Sequence, residues 1–554
     1  MRIPLSEYPR PQMVRDSYLC LNGTWNLRFL SDGEKAQDMQ ILVPYSPESE
    51  FSGVGRTLGA EETMLYSRHV DFPGVDFSES RLLLHFGAVD YRATVFIDKE
   101  MVADHIGGYL PFTVEVDKAS FDLDVSVQDP GDSREISRGK QSSNPGGIWY
   151  PKTSGIWQTV WMEKVPRSYI TDIRILPDLK GFFLTVLTSD DTLEIATVSI
   201  DGKNIEIKTN EKQYIAIENQ HLWSPDDPYL YNFDIIAGED RISSYVGLRT
   251  FGTGKDEKGN NVLLLNNKPY FHHGLLDQGY FKGGYYTPSD DRDFVDDISM
   301  MKQLGFNTLR KHIKVEPLRW YYHCDRLGML VWQDMVSGGG RYRPFVIAAP
   351  LIIGSFLSDD NYGKFAREDV HEREVWEHEA YETVETLYNC TSIAMWVPFN
   401  EGWGQFDSKR ITDNIRKIDD SRTIDHASGW HDQGIGDFRS LHVYFHPYRF
   451  RKDKKGRPVI LSEFGGYGME LGVTGKKAFT YRKYYTKAAL TEAIVKLYEK
   501  QIIPAKRKGL AASIYTQVSD VEQEVNGLLS YDRKTVKVEK EKIAGISEKL
   551  LSRE

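Results

Sequence analysis

"YFHHGLL" occupies residues 270–276, "DRDFVDDISMMKQLG" residues 291–305 and "NTLRKHI" residues 307–313. The outer two read as short apolar strands. The middle stretch places Phe294, Ile298, Met301 and Leu304 on one helical face, and Gly305 suits the helix C-terminus. Six more strand-like runs follow: "MLVWQDM" (329–335), "SIAMWVPFN" (392–400), "TIDHASG" (423–429), "LHVYFHP" (441–447), "PVILSEFG" (458–465) and "AASIYTQV" (511–518). "EREVWEHEAYETVETLY" reads as a helix before the fourth strand, and "TEAIVKLYEK" as one before the eighth. Strands alternating with helices over residues 256–554 predict a C-terminal (β/α)8 TIM barrel. The connection at 430–440, between the fifth and sixth strands, is too short for a regular helix.

Upstream the pattern is different. "LNGTWNLRFL", "RLLLHFGAVD", "YRATVFID", "YLPFTVEV" and "IWQTVWMEK" are rich in β-branched and aromatic residues and are separated by Gly, Pro, Asp and Ser. Residues 1–165 therefore read as a jelly-roll β-sandwich. "FFLTVLT", "EIATVSI", "NIEIKT", "QYIAIEN", "YNFDIIA" and "ISSYVGLR" make residues 166–255 a small immunoglobulin-like β-sandwich. The hydrophilic stretch "GTGKDEKGNN" marks the passage to the barrel. No solenoid repeat or low-complexity tract is present.

Composition narrows the function classes. The 554 residues are 40% hydrophobic and 27% charged, which suits a globular protein with ample core. The formal charge is −11. The one dense basic stretch, "RFRKDKKGR" (449–457), reads as a solvated loop, so no nucleic-acid partner is expected. Three cysteines, Cys20, Cys324 and Cys390, form no C-x-x-C, which argues against a disulfide framework or a zinc–cysteine site. The most apolar window, 345–357, is too short to span a membrane and holds Pro350 and Gly354. The first residues show no secretory h-region, so a cytoplasmic location is expected. A homo-oligomer is left open.

In barrels of this kind chemistry sits at the C-terminal ends of the strands. Here those ends carry Asp277 and Gln278, Arg310 and His312, Gln333 and Asp334, Asn400 and Glu401, Ser428 and Trp430, His442, Tyr444 and His446, Glu463, and Thr516 and Gln517. Glu401 closes the fourth strand and Glu463 the seventh, so two carboxylates face the mouth. Glycosidic cleavage needs such a pair, one acid to protonate the leaving oxygen and one carboxylate to attack carbon or activate water. A gap of about 5–5.5 Å would predict retention of configuration, and one of roughly 6.5–9.5 Å inversion.

"MWVPFNEGWGQF" together with "VILSEFGGYG" resembles glycoside hydrolase family 2, the family of β-galactosidases, β-glucuronidases and β-mannosidases. "SGIWQTVWMEKVP", "LLLNNKPYFHHGLL" and "DDISMMKQLGFNTLRKH" are similar to that family's segments in the same order, so the resemblance covers nearly the whole chain. It implies a retaining exo-glycosidase acting by double displacement, with Glu401 as general acid/base and Glu463 as nucleophile. A nearby anionic Glu463 would raise the pKa of Glu401. Arg310 and the Tyr444 hydroxyl are placed to hold Glu463 as a carboxylate, and Asn400 to meet the sugar 2-hydroxyl. Trp403, Trp430, His442, His312, Asp277 and Asp334 are further candidates for substrate contact. The long stretch 337–369 is expected to line the leaving-group subsite.

The chain departs from the family pattern in places. After strand two it reads "RKHIKVEP", strand three ends in Gln333-Asp334, and strand eight ends in Thr516-Gln517. Asn266-Asn267-Lys268, an Asn-x-Lys of the kind family glucuronidases use for the sugar carboxylate, lies ahead of strand one. The extra ligands of the metal-assisted β-galactosidases find no match, so no essential metal or cofactor is expected. β-Galactoside stands first among the expected substrates; β-mannoside, β-glucuronide, β-glucoside and α-L-arabinoside are the alternatives. Two readings from other classes remain: a non-catalytic carbohydrate-binding protein, and a metal-dependent barrel hydrolase using His272, His273, His442 and His446.

Overall fold

The structure is a computed structural model that describes residues 3–30, 38–350, 356–471 and 478–552. Helix α1 (Asp291–Gln303) shows why the 270–313 segment folds as it does. The Asp290 carboxylate accepts from Arg292 N at 3.0 Å, and Asp293 accepts from Asp290 N at 3.2 Å. These two bonds satisfy amides that a helix start leaves without intrahelical partners. Phe294, Ile298 and Met301 are buried on one face. Gly305 then turns the chain at φ +87°, and a Cβ there would lie 2.5 Å from Ser547 Cβ.

Eight parallel strands follow the expected order: β1 (His272–Asp277), β2 (Thr308–Lys311), β3 (Leu330–Asp334), β4 (Ile393–Val397), β5 (Thr423–Ile424), β6 (Arg439–Val443), β7 (Val459–Gly465) and β8 (Leu510–Thr516). They form one curled sheet in the order β5-β4-β3-β2-β1-β8-β7-β6. Helices α2 (Leu318–Leu327), α3 (Val370–Thr386), α4 (Ser408–Ile418), α5 (Lys487–Leu497) and α6 (Lys540–Leu551) join α1 in packing around it. Side chains alternate along the strands. Leu309, Val331, Ile393, Trp396 and Leu461 pack in one core with Phe294, Trp320, Ile411 and Ile494 of the helices. Leu276, Trp332, Met395, Val397, Ile460 and Ile514 form a separate interior core. Burying each large apolar side chain contributes roughly 1.5–3 kcal/mol.

The short 430–440 connection has a structural counterpart. Among the described residues no backbone ladder joins β5 to β6. The seam is closed by Asp437 N donating to Ile424 O at 3.0 Å, by Ile424 N donating to Asp437 Oδ2 at 2.7 Å, and by Ser428 Oγ bonding His442 Nε2 at 3.0 Å. The fifth strand is shorter than its sequence suggests: after Asp425 N donates to Trp396 O at 2.9 Å, its polar continuation pairs next only at an isolated Asn400–Ser428 bridge beyond the end of β4.

Ahead of the barrel lie two sandwiches. A four-stranded and a six-stranded sheet enclose Trp25, Leu27, Phe29, Val95 and Val125 in one core. A three-stranded and a four-stranded sheet enclose Ile173, Ile175, Phe182, Val198 and Phe233 in another. Arg15 ties the two together, donating to Glu163 Oε2 at 2.9 Å and Asp240 Oδ2 at 2.8 Å. The first sandwich also reaches the barrel. Gly139 N donates to Ser337 O at 2.8 Å, and Ser137 pairs with Gly338 as an antiparallel bridge. A small antiparallel sheet (Phe251–Lys255, Asn261–Leu265, Lys268–Pro269) leads into β1, leaving Lys268 exposed ahead of that strand. Of the apolar window 345–357, residues 351–355 lie outside the described residues. No described helix is long and apolar enough to cross a membrane. Cys20, Cys324 and Cys390 are free thiols.

Candidate active site

β4 runs out at the mouth, and the next residues make a tight turn. Glu401 has φ +50°, a left-handed conformation that non-glycine residues seldom adopt, and Gly402 follows at +71°. Three bonds hold the turn: Glu401 N to Ser428 O (2.9 Å), Trp403 N to Asn400 O (2.9 Å), and Trp430 Nε1 to Glu401 O (2.9 Å). The constrained backbone aims the Glu401 carboxylate at His442, whose Nδ1 lies 2.8 Å from Oε1. The Trp430 ring stands edge-on to the same histidine, 5.3 Å between centroids.

Glu463 is placed by a different device. The pairings of β7 with β6 and with β8 both shift register beside it. Such bulges re-aim side chains at sheet rims. Arg310 Nη1 donates to Glu463 Oε1 at 3.0 Å and to Ser462 O at 3.1 Å. The Tyr444 hydroxyl donates to Glu463 Oε2 and bonds Thr516 Oγ1 at 3.0 Å. Arg310 is itself fixed by Asp334, through Nε to Oδ1 and Nη2 to Oδ2, each at 2.9 Å. Its Nη2 also donates to Asn400 Oδ1 at 2.8 Å. Asn400 Nδ2 is consequently left buried with no partner among the described residues. One fully buried guanidinium thus ties together the ends of β2, β3, β4 and β7.

Glu401, His442 and Glu463 each bring one side-chain N or O atom within 4.8 Å of the others. Burial, with a smaller contribution from the Glu463 charge, pushes the Glu401 carboxyl above its ordinary range; the His442 bond opposes this. Burial is the larger cause, where the sequence argument named only Glu463. Burial also pushes Asp334 up to about 6, against the pull of Arg310. It drives His312 well below the usual imidazole range, so that ring is neutral. Two carboxylates and an imidazole this close could suit a cation, but Glu463 already faces the Arg310 charge, which would repel one. The histidines of the metal reading do not converge. His272 Nδ1 accepts from Trp332 Nε1, His273 Nε2 meets Ser547 Oγ, and His446 is exposed.

The other sequence candidates have mixed placements. His312 Nε2 lies 3.6 Å from Glu463 Oε1, and its Nδ1 lies 2.9 Å from Gln278 Oε1. Trp403 is buried, with an indole N–H that has no partner among the described residues. Trp430 and Asp334 serve Glu401 and Arg310. Asp277 is bound to Lys311 at 2.7 Å; burial raises its carboxyl, but Lys311, the Gly279 amide and Arg533 together outweigh burial and hold it below the ordinary range. Sequence reasoning missed Trp149 and Tyr342, whose rings lie 5.1 and 6.0 Å from Trp403. Trp149 comes from the first sandwich, outside any barrel-strand pattern. Tyr342 belongs to the 337–369 stretch, and its position accords with that stretch reaching the mouth.

Two sandwiches leading to a parallel barrel with facing carboxylates on strands four and seven define the architecture of a multidomain glycoside hydrolase. Residues 258–541 match the description "Glycosyl hydrolases family 2, TIM barrel domain", and residues 183–249 match "Glycosyl hydrolases family 2". The chain belongs to glycosyl hydrolases family 2. It is 25% identical over 388 residues to a β-galactosidase of Thermoanaerobacter pseudethanolicus, a match covering 62% of this chain and 46% of that enzyme. It therefore spans less than half that relative's length. It is 23% identical over 420 residues to a β-glucuronidase of Streptococcus agalactiae, covering 71% of this chain and 68% of that protein. The solved structure of a Ruminococcus gnavus β-glucuronidase superposes with a TM-score of 0.76 at 17% identity, covering 99% of this chain and all (100%) of that one. That likeness is one of fold.

Proposed function

We propose that this chain is a retaining exo-β-glycosidase that cleaves terminal sugars by double displacement. One observation carries the reading: oxygen atoms of Glu401 and Glu463 lie within 4.8 Å of each other across the mouth. That close approach accords with the roughly 5–5.5 Å between the carboxyl groups of a retaining pair, in which one carboxylate attacks directly. Glu463 attacks the anomeric carbon, while Glu401, kept protonated by burial, delivers a proton to the departing oxygen. Esterification then removes the Glu463 charge. Glu401 becomes more acidic and accepts a proton from the water that releases the sugar. Asn400 Nδ2 is a free donor for the 2-hydroxyl. The rings of Trp403, Trp149 and Tyr342 offer an aromatic wall on the leaving-group side.

A β-galactoside is the first substrate, in keeping with the β-galactosidase relative. β-Mannoside, β-glucuronide and α-L-arabinoside follow. Of the sequence's two Asn-x-Lys motifs, Asn210-Glu211-Lys212 lies in the second sandwich and Asn266-Asn267-Lys268 lies ahead of β1, away from the mouth, which weighs against the glucuronide. The test is p-nitrophenol release from a panel of nitrophenyl glycosides by wild type and by Glu463→Gln. Cleavage of one sugar by wild type, with near-complete loss in the variant, is expected. Equal cleavage by both would refute the assignment of the nucleophile.

A further inference from the structure

Beyond the catalytic pair, a line of buried polar side chains crosses from the barrel to the first sandwich. It starts at His312, beside Glu463, whose Nδ1 lies 2.9 Å from Gln278 Oε1. Gln278 Nε2 donates to Gln517 Oε1 at 2.6 Å, and Gln517 N donates to Asn526 O at 3.3 Å. Asn526 Nδ2 donates to Glu524 Oε1 at 3.0 Å. The line ends on Lys140, a residue of the sandwich, whose Nζ lies 3.5 Å from both Glu524 Oε2 and the Tyr150 hydroxyl. Gly139 makes this approach feasible: it has φ +59°, and a Cβ there would stand 2.7 Å from Ile313 O. Lys140 is close enough for its charge to act on both Glu401 and His312.

Two features of this line are unusual for a structural network. First, Lys140 is an almost fully buried ammonium with contacts at the outer limit of hydrogen bonding. Second, several of its buried atoms have no partner among the described residues: Gln517 Nε2 and, nearby, Asn400 Nδ2 and Trp403 Nε1 as donors, with His312 Nε2 and Asn526 Oδ1 as acceptors. His312 Nε2 counts as an acceptor because Nδ1 donates to Gln278. Buried polar groups left unsatisfied by protein are costly unless a ligand or a bound water completes them. A set that both donates and accepts is completed by hydroxyl groups, which do both. The charges point the same way. Lys140 and Glu524 sum to zero, and an added sugar carboxylate would meet Glu524 in a buried setting.

We infer that Lys140 and Glu524, supplied by two different domains, are specificity residues that read hydroxyls of a neutral sugar and exclude a uronic acid. The inference rests on the glycosidase reading above and deepens it. The pair is tested by the ratio of kcat/KM for the best neutral nitrophenyl glycoside to kcat/KM for nitrophenyl β-glucuronide and β-galacturonide. Both are measured on the same preparation, so the ratio is independent of the fraction folded. Wild type should favour the neutral sugar. Glu524→Gln should lose about 10- to 100-fold on the neutral glycoside, the range of a hydrogen bond to a charged group. Its uronide-to-neutral ratio should rise at least about tenfold once the repelling charge is gone. Lys140→Met should lose neutral activity with no gain on the uronide. As a readout independent of turnover, millimolar galactose should raise the melting temperature of Glu463→Gln protein more than galacturonic acid does. A wild-type preference for uronides, an unchanged ratio in Glu524→Gln, or stronger protection by galacturonic acid would overturn the inference and leave the glycosidase reading standing. Hydrolysis of neither sugar class by wild type would overturn both.

Discussion

Replacing Glu379 by Gln should make this protein more stable at pH 8 and leave it unchanged near pH 4.5. Glu379 lies on α3, buried against the first sandwich, where Ser137 Oγ donates to its Oε2 at 2.5 Å. Burial pushes its carboxyl from 4.5 to about 7, with the Ser137 bond and Arg367 opposing. Because the folded-state pKa is the higher one, the folded chain holds this proton more tightly than the unfolded chain does. Stability contributed by the protonated form is complete below 4.5, falls as pH rises through the window to about 7, and is flat above it. At about 1.4 kcal/mol for each tenfold change in proton affinity, ionising Glu379 costs the folded state about 3 kcal/mol at pH 8. Glu379→Gln keeps the shape and an acceptor for Ser137 but carries no titrating proton. Urea unfolding at pH 5 and pH 8, followed by tryptophan fluorescence and circular dichroism, gives the difference between variant and wild type. The reasoning holds if the variant gains about 2–3 kcal/mol at pH 8 relative to its value at pH 5. A difference that stays constant between the two pH values would show that Glu379 does not titrate in this window, and would refute it.

Two further outcomes concern catalysis. Tyr444→Phe removes a hydroxyl that donates to Glu463 and should lower kcat/KM by about 10- to 100-fold with the fold intact, checked by comparing melting temperature and kinetics side by side. Glu401→Ala should lose about 10²- to 10⁴-fold on substrates with poor leaving groups and far less on dinitrophenyl glycosides, which need little protonation. The wild-type fall in kcat/KM on the alkaline side should disappear in that variant, because Glu401, with its raised pKa, is the group whose deprotonation causes it; a persistent alkaline limb would assign the acid elsewhere.

The periodic parts of the sequence announced the fold. Phe294, Ile298 and Met301 recur at helical spacing and are buried as one face of α1. "GTWNLRFL" alternates, and its Trp25, Leu27 and Phe29 are buried while Asn26 and Arg28 are not. The barrel-strand ends likewise exposed Glu401, Glu463, Arg310 and Tyr444, because polar residues finishing apolar strands stand out against their neighbours. Lys140, Trp149 and Glu524 were not legible in this way. They lie on irregular connections, where no period marks a direction, and hundreds of residues of sequence separate Lys140 from Glu524. Their meeting depends on how the first sandwich docks on the barrel, which local pattern does not encode. Asp277 sits at a strand end like the others, and its ion pair with Lys311, one strand away, was not legible from its position.

The seam between β5 and β6 bears on how finely the reaction geometry can be adjusted. A laddered sheet spaces neighbouring strands about 4.8 Å apart, which fixes positions in coarse steps. By the shorter route around the barrel, from β4 to β7, the chain crosses the one place where the described ladder lapses and is replaced by Asp437, Ser428 and His442. His442 is at once part of that closure and the hydrogen-bond partner of Glu401. Side-chain substitutions at the seam are therefore expected to change the spacing of the two carboxylates without breaking a strand pairing. In a protein scaffold otherwise as stiff as a hooped cask, the catalytic gap has been given its own adjusting screw.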